Sequence, residues 1–176
     1  MRTILFVLLT AAPVAAGLFG QSPAPTPSPP VETRQFDFWI GEWEVTTANG
    51  KIAGTNTIER IANGRGLLEH WTGAAGGTGK SLNSYNAAKR QWQQFWVGGD
   101  GTVLELAGGL DALGHMVLTG ESGPARPMLN RITWTPNPDG TVRQHWEQST
   151  DGGITWTTLF EGLYRRTKEL AEPSQQ

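Results

Sequence analysis

Apolar and polar residues alternate along most of the chain in short runs, and turn-forming residues interrupt these runs about every ten positions. This spacing is typical of an all-β sandwich or barrel built from hairpins. Asn49-Gly50, for example, suits a two-residue type I′ turn. Apart from a single helical turn at 36–40, no stretch has the period of an amphipathic helix. The pattern predicts ten strands, at 42–48, 51–60, 66–73, 79–85, 91–97, 102–108, 114–119, 128–135, 141–149 and 154–165.

The order of these strands predicts how they are arranged. Consecutive hairpins without a long crossover form a meander, in which each strand pairs with the next. A meander of this length closes on itself because closure removes the two exposed edges that favour aggregation. We therefore expect an antiparallel up-and-down β-barrel of about ten strands, with an open sandwich as the alternative.

The hairpin around 136–140 shows which side chains share a face. If Thr135 lies opposite Thr141, alternation divides the side chains into two sets. We expect the apolar set to face inward and the charged set outward, although polar side chains also line barrel lumens that hold a ligand. The first set is Ile132, Trp134, Val142, Gln144 and Trp146, and the second is Arg131, Thr133, Arg143, His145 and Glu147.

The two ends of the chain differ from the central region in composition. Residues 1–16 carry Arg2, a short apolar run and small residues before a cleavage site, as in a secretory signal peptide. The apolar run is too short for a membrane span, so none is expected after signal cleavage. We predict export to the periplasm or the cell exterior. The remaining divisions are a proline-rich linker at 17–35, a barrel domain at 36–166 and a polar tail at 167–176.

Composition and charge exclude several functional classes. A length of 176 residues suits one domain, and the net charge of −2 includes no basic stripe that would bind nucleic acid. Cysteine is absent, which excludes disulfides, thiolate metal sites and a cysteine nucleophile. The composition predicts no particular oligomeric state.

The segment 148–156 contains Ser149, Asp151, Gly153, Thr155 and Trp156 in the spacing of an Asp box, a hairpin motif known from sialidase propellers. In that motif the aspartate accepts backbone N–H bonds within the turn. A single copy without an internal repeat does not build a propeller. We therefore assign Asp151 and Trp156 structural roles and predict no glycosidase activity. The carboxylates that could support sugar hydrolysis are each expected on a solvated face; these are Glu69, Glu105, Glu147 and Glu161.

The stretch FDFWIGEWEV at 36–45 carries Gly41-x-Trp43 at the start of the first strand, which resembles the lipocalin signature. Together with SLNSYNAAKRQWQQFWV, NRITWTPNPDGTVRQHWEQSTDGGITW and FEGLYRR, it looks like a bacterial family of small, often exported lipocalin-like (calycin-type) domains whose function is not established. The resemblance implies a barrel with an internal pocket and no inherited chemistry. It further implies that Trp43 closes one barrel end under an arginine of the last strand, Arg165 or Arg166, of which we take Arg165 as the candidate.

No cofactor, metal or catalytic residue is predicted. Nitrobindins, which are ten-stranded calycins, hold haem through a histidine near the C-terminus, but the last strand here has none. The three histidines have no metal-ligand spacing, and no serine lies in a nucleophile elbow.

The tryptophans are the remaining candidates for function. An aromatic wall with a few polar groups is typical of a pocket for a small apolar or amphipathic ligand. The alternatives are a filled barrel that serves as a secreted interaction module, and an enzyme that uses polar lumen residues such as Glu105, His70 or Arg131. The predicted ligand-binding residues are Trp71, Asn83, Tyr85, Trp92, Gln94, Trp96, Arg131, Trp134, Gln144 and Trp146.

Overall fold

A computed structural model describes residues 28–123 and 128–167 of the chain. The predicted signal peptide, most of the linker and residues 168–176 of the tail lie outside the described residues. Short 3-10 helices cover Val31–Arg34, Asp37–Trp39 and Ala62–Gly64. The strands are β1 (Gly41–Thr47), β2 (Ile52–Ile61), β3 (Gly66–Gly73), β4 (Thr78–Asn86), β5 (Gln91–Gly98), β6 (Val103–Leu110), β7 (Met116–Ser122), β8 (Met128–Pro136), β9 (Val142–Ser149) and β10 (Thr157–Arg166).

The strands form one closed antiparallel barrel in chain order. Each strand pairs with the next, and β1 pairs with β10, where Val45 lies opposite Tyr164. The prediction of a ten-stranded up-and-down barrel of the lipocalin and calycin type is confirmed, and an open sandwich is excluded. Closure leaves neither β1 nor β10 as an exposed edge.

The hairpin of β8 and β9 has the predicted faces but a different register. Thr135 lies opposite Arg143, so the predicted pairing with Thr141 is wrong. The difference amounts to two residues, which preserves the face of every side chain. Trp134 and Val142 are accordingly buried inside the barrel.

One end of the barrel is closed by aromatic side chains. Phe36 and Trp39 stack with ring centroids 4.8 Å apart, and both contact the ring of Trp134. The indole Nε1 of Trp43 donates to the Trp39 carbonyl at 2.9 Å. All four side chains are buried, and we call them, together, the aromatic plug.

Ordered structure begins before residue 36, the predicted start of the barrel domain. Thr33 is buried, and its hydroxyl donates to the Pro30 carbonyl at 2.7 Å. The side-chain oxygen of Gln35 accepts from the indole Nε1 of Trp92 at 3.2 Å. These contacts attach the last linker residues to the plugged end.

Arg166, and not Arg165, stacks over Trp43. Its guanidinium carbon lies 4.2 Å from the Trp43 ring centroid, and its Nη1 donates to the Ile40 carbonyl at 2.7 Å. Arg165 is exposed and contacts the Thr46 hydroxyl. Trp43 and Arg166 are direct cross-strand partners, so their side chains share a face, whereas Arg165 points to the other side.

Replacing Arg166 with alanine is expected to lower the free energy of unfolding by about 1–2 kcal/mol, because a cation–π contact and a charged hydrogen bond are lost. The matched variant Arg165→Ala removes the same charge from the exposed face and should change it by less than about 0.5 kcal/mol. Urea titration of both variants measures the difference. Equal losses in the two variants would contradict the assigned contact.

Candidate functional site

The barrel contains a cavity of about 270 Å³ next to the aromatic plug. It opens toward the opposite barrel end, where Trp71 and Trp96 are half-buried and Leu159 is exposed. The wall is largely aromatic and aliphatic, with polar side chains at its inner end. The lining residues are Glu69, Trp71, Gln94, Trp96, Leu104, Ile132, Trp134, Gln144, Trp146, Leu159, Phe160 and Tyr164.

Several predicted ligand-binding residues lie together in this cavity because they occupy inward positions on their strands. On β5, for example, Trp92, Gln94 and Trp96 alternate toward the interior, on the face that the sequence predicted them to share. The predicted residues that line the cavity are Trp71, Gln94, Trp96, Trp134, Gln144 and Trp146.

Three other predicted residues are inside the barrel but away from the cavity wall. Asn83 is fully buried and accepts a hydrogen bond from Gln94. Trp92 and Tyr85 pack against each other with ring centroids 6.3 Å apart, and Trp92 also contacts Phe36. Trp92 and Tyr85 therefore belong to the packing around the aromatic plug, and Asn83 supports the polar end of the cavity from behind.

Arg131 was wrongly predicted to contact a ligand, because it lies on the outer face. Its Nε donates to the Glu147 carboxylate at 3.0 Å, and its guanidinium carbon is 4.0 Å from the Trp156 ring centroid. Its neighbours Asn130 and Ile132 are buried inside. Strand alternation alone therefore places Arg131 outside.

The other two polar residues considered for catalysis also lie outside the cavity. Glu105 is exposed between the buried residues Leu104 and Leu106. His70 contacts the Glu59 carboxylate through Nε2 at 3.1 Å on the outer face. An enzyme built on these residues has no support in the structure.

The Asp box forms a hairpin turn, as predicted. One Asp151 carboxylate oxygen accepts the backbone N–H groups of Ile154 and Thr155 at 3.0 and 2.9 Å. A bond from the Thr155 hydroxyl, together with these backbone bonds, lowers the pKa of Asp151 to about 2. Because the turn holds residues 154–156, β10 begins at Thr157, later than predicted. Trp156 closes the turn by donating to the Gly153 carbonyl at 3.0 Å.

Glu69 forms the polar inner end of the cavity. Its side chain is buried, contrary to the prediction of a solvated face. One carboxylate oxygen accepts from Asn56 Nδ2 at 2.7 Å, and the other accepts from the Ser81 hydroxyl at 2.6 Å. The three residues come from neighbouring strands, because β3 lies between β2 and β4 in the barrel.

Further amides and a phenol extend this hydrogen-bond network. On one side, Asn83 Nδ2 donates to the Ser81 hydroxyl at 2.8 Å, and Gln94 Nε2 donates to Asn83 Oδ1 at 2.8 Å. On the other side, Asn56 Nδ2 lies 3.3 Å from the Tyr164 hydroxyl, which donates to Gln144 Oε1. Glu69 therefore lies at the centre of a polar network that spans six strands.

Burial dominates the electrostatics of this network. Removal from water raises the pKa of Glu69 from its usual 4.5 to about 7, although the bonds from Ser81 and Asn56 partly oppose the rise. Burial also raises the pKa of Tyr164 well above its ordinary value. The cavity lining among the described residues includes no lysine, arginine or histidine to compensate a charge on Glu69. A further acceptor, Asn56 Oδ1, is buried without a hydrogen-bond partner.

Sequence reasoning missed Asn56, Ser81 and Tyr164 as members of the site. Strand alternation makes inward polar residues recognisable. On β3, for example, Glu69 has the same parity as the apolar residues Leu67 and Trp71. A charged residue at an inward position is an unusual feature of a strand and a signal of a functional site. Within residues 28–123 and 128–167, no group of three histidine, aspartate or glutamate side chains is placed to hold a metal ion. No helix in those ranges has the length and apolarity needed to cross a membrane.

Comparisons with known proteins assign no function to the chain. No protein-family model matches the chain, and no curated protein matches it significantly.

Proposed function

We propose that this barrel binds a small apolar or amphipathic molecule in its lumen. The observation that supports the proposal is a cavity of about 270 Å³ with indole walls and a polar inner end. Ligand pockets combine an apolar wall with a few directional polar groups, as this one does. Its volume is slightly below the roughly 300–1,000 Å³ typical of such pockets, which favours a small ligand.

The cavity argues against the alternative of a filled barrel acting as a rigid interaction module. A single buried water needs only about 10–15 Å³. The lumen volume is many times larger than the space that one water needs. A cluster of waters filling it would contact a mostly aromatic wall, which offers few hydrogen bonds. A small amphipathic ligand in the lumen would pack against the apolar wall and form hydrogen bonds with the polar inner end.

The place of action and the family are part of the same proposal. Residues 1–16 have the features of a cleaved signal peptide, which supports export to the periplasm or the cell exterior. The contact between Trp43 and Arg166 is of the kind that the lipocalin resemblance implies, and it supports membership of a lipocalin-like family of exported domains. N-terminal sequencing of the protein recovered from the periplasm and the medium tests export, with a new terminus at Gly17 expected.

A matched pair of tryptophan substitutions tests binding in the lumen. Leu104 lines the cavity, whereas its neighbour Val103 is 45% exposed on the outer face. We expect the wild-type protein to bind 2-phenylethanol with a dissociation constant on the order of a millimolar or tighter in calorimetric titration. Leu104→Trp should weaken binding at least about tenfold by occupying the cavity, and Val103→Trp should leave it unchanged.

Circular dichroism and urea titration confirm that both variants retain the fold. Native mass spectrometry of the wild-type protein adds an independent measurement, since a ligand retained from the cell should be lost in Leu104→Trp. Equal binding by the two variants would place the ligand outside the lumen and contradict the proposal.

A further inference from the structure

The hydrogen bonds around Glu69 all point in one direction. Asn56 and Ser81 donate to its carboxylate, and Ser81 in turn accepts from Asn83. Each carboxylate oxygen has two lone pairs, and each receives one of these bonds. Asn56 Oδ1, behind the cavity lining, is a buried acceptor without a partner, and Trp134 Nε1, in the lining, is a buried donor without one. The inner end of the cavity therefore has acceptor capacity to spare.

Among residues 28–123 and 128–167, no positively charged side chain lines the same end. The residues facing Glu69 from the strands around it are Asn56, Ser81, Gln144 and Tyr164, and Tyr164 is the titratable one. Burial keeps Tyr164 neutral near pH 7, because it raises the pKa of the phenol. Arg131 lies on the outer face and Arg166 stacks over Trp43, so neither arginine lies beside Glu69. A carboxylate at position 69 thus has no cation beside it in the part of the chain that the structure describes.

Aromatic faces surround the space next to this carboxylate. Trp71 lies two residues beyond Glu69 on the same inward face of β3. Trp96 lies opposite Ser81, which lies opposite Glu69, so the three occupy one row across β3, β4 and β5. Trp71 and Phe160 meet edge-on, with ring centroids 6.2 Å apart. Indole faces attract cations, most strongly where water is excluded.

From these three features we infer that the lumen site selects a small ligand with a protonated amine, which donates to the Glu69 carboxylate while the tryptophans surround its apolar part. The inference rests on the lumen-binding function proposed above and specifies its ligand class. An ammonium group supplies both a compensating charge and donors for the free lone pairs of the Glu69 carboxylate. A ligand carboxylate would meet the like charge of Glu69 and find no compensating cation.

The inference carries a pH dependence with a defined sign. A bound cation favours the ionised form of Glu69, so binding the amine releases a proton where Glu69 is protonated in the free protein. Because burial raises the pKa of Glu69 to about 7, amine affinity should increase as the pH rises through that value and level off above it. Aliphatic amines remain protonated in this range, since their pKa values are near that of lysine, about 10.4.

Three probes that share a phenylethyl or phenylpropyl frame test the selectivity by calorimetry at pH 8. They are 2-phenylethylamine, neutral 2-phenylethanol and anionic 3-phenylpropanoate. We expect the amine to bind about tenfold more tightly than the alcohol, which corresponds to one charge-assisted hydrogen bond, and the carboxylate to bind most weakly. Glu69→Gln should remove the advantage of the amine, so that amine and alcohol bind this variant with equal affinity.

Glu105→Gln is the matched control, because it removes the same charge from the exposed face of β6. This variant should bind the three probes in the same order of affinity as the wild type. A second measurement uses the wild-type protein alone, so it does not depend on the folding of a variant. Amine affinity should rise about tenfold between pH 5.5 and pH 8, whereas alcohol affinity should stay constant.

The outcomes separate this inference from the proposed function. Equal binding of amine and alcohol, or an amine affinity that is flat in pH, would overturn amine selection and leave lumen binding intact. If none of the three probes binds the wild-type protein, both proposals fail. An amine advantage that survives in Glu69→Gln would locate the recognition elsewhere and overturn the inference.

Discussion

Replacing Glu69 with glutamine should make the barrel more stable at pH 8 by about 3 kcal/mol and leave its stability nearly unchanged at pH 4.5. The wild-type carboxylate is buried with no cation beside it among the described residues, and burial raises its pKa from 4.5 to about 7. Each pKa unit corresponds to about 1.4 kcal/mol of differential stability between folded and unfolded states. Glutamine resembles the protonated acid in shape and can still accept from Asn56.

The sign of this effect follows from proton linkage. Since the pKa of Glu69 is higher in the folded state, folding takes up a proton at intermediate pH. The contribution of the group to stability is fully present below about pH 4.5 and is lost as the pH rises through about 7. Urea titrations of the wild type and the variant at pH 4.5, 6, 7 and 8 measure the divergence.

The comparison between the two proteins isolates Glu69. The other titratable groups, such as Asp151 in its turn, are common to both and cancel in the difference. Glu105→Gln, at an exposed position, should follow the wild-type curve throughout. Parallel curves for wild type and Glu69→Gln would mean that this carboxyl titrates at its ordinary pKa and is not desolvated in the folded protein.

Trp43→Ala is expected to be the most destabilising single substitution considered for this protein, with a loss of about 3–5 kcal/mol in the free energy of unfolding. The indole is 1% exposed, donates to the Trp39 carbonyl and meets the Tyr164 ring edge-on at 6.0 Å. Removing it leaves a cavity in the aromatic plug and also leaves Arg166 without its stacking partner.

Trp156→Ala is the control for this prediction. Trp156 also has an arginine over its ring, but it lies on the outer face in the Asp-box turn and is half-buried. Its loss should cost about 1–2 kcal/mol, since little core volume is removed. Urea titration gives both values, and near-ultraviolet circular dichroism reports whether the plug remains ordered. A loss in Trp43→Ala no greater than in Trp156→Ala would contradict the role of Trp43 in closing the barrel.

Local sequence patterns were sufficient for most of the fold. Alternation and turn residues predicted the strands, and the inward set of β8 and β9 was correct even though the register of Thr135 was not. A two-residue shift changes cross-strand partners without changing faces, which is why register is harder to predict than burial. The assignment of Arg165 in place of Arg166 failed for a related reason, because the pairing of β1 with β10 decides which arginine shares a face with Trp43.

The candidate site was only partly predictable. Tryptophans at inward positions are recognisable one strand at a time, and Trp71, Trp96 and Trp146 do line the cavity. The polar network is a different case, because a glutamate on a strand is ordinarily solvated. Only the meeting of Glu69 with Asn56 and Ser81 explains why its burial is tolerated.

The sequence by itself determined an all-β chain with ten strands, the inward and outward faces of β8 and β9 and the Asp-box turn, since these depend on residues close together in the chain. The tertiary structure decided which inward side chains meet. Asn56 and Tyr164 are 108 residues apart and become neighbours only because β1 and β10 close the barrel. Whether a lumen is filled or hollow depends on side chains from many strands at one level, which no single strand specifies. The acidic, indole-walled cavity is therefore a product of barrel closure.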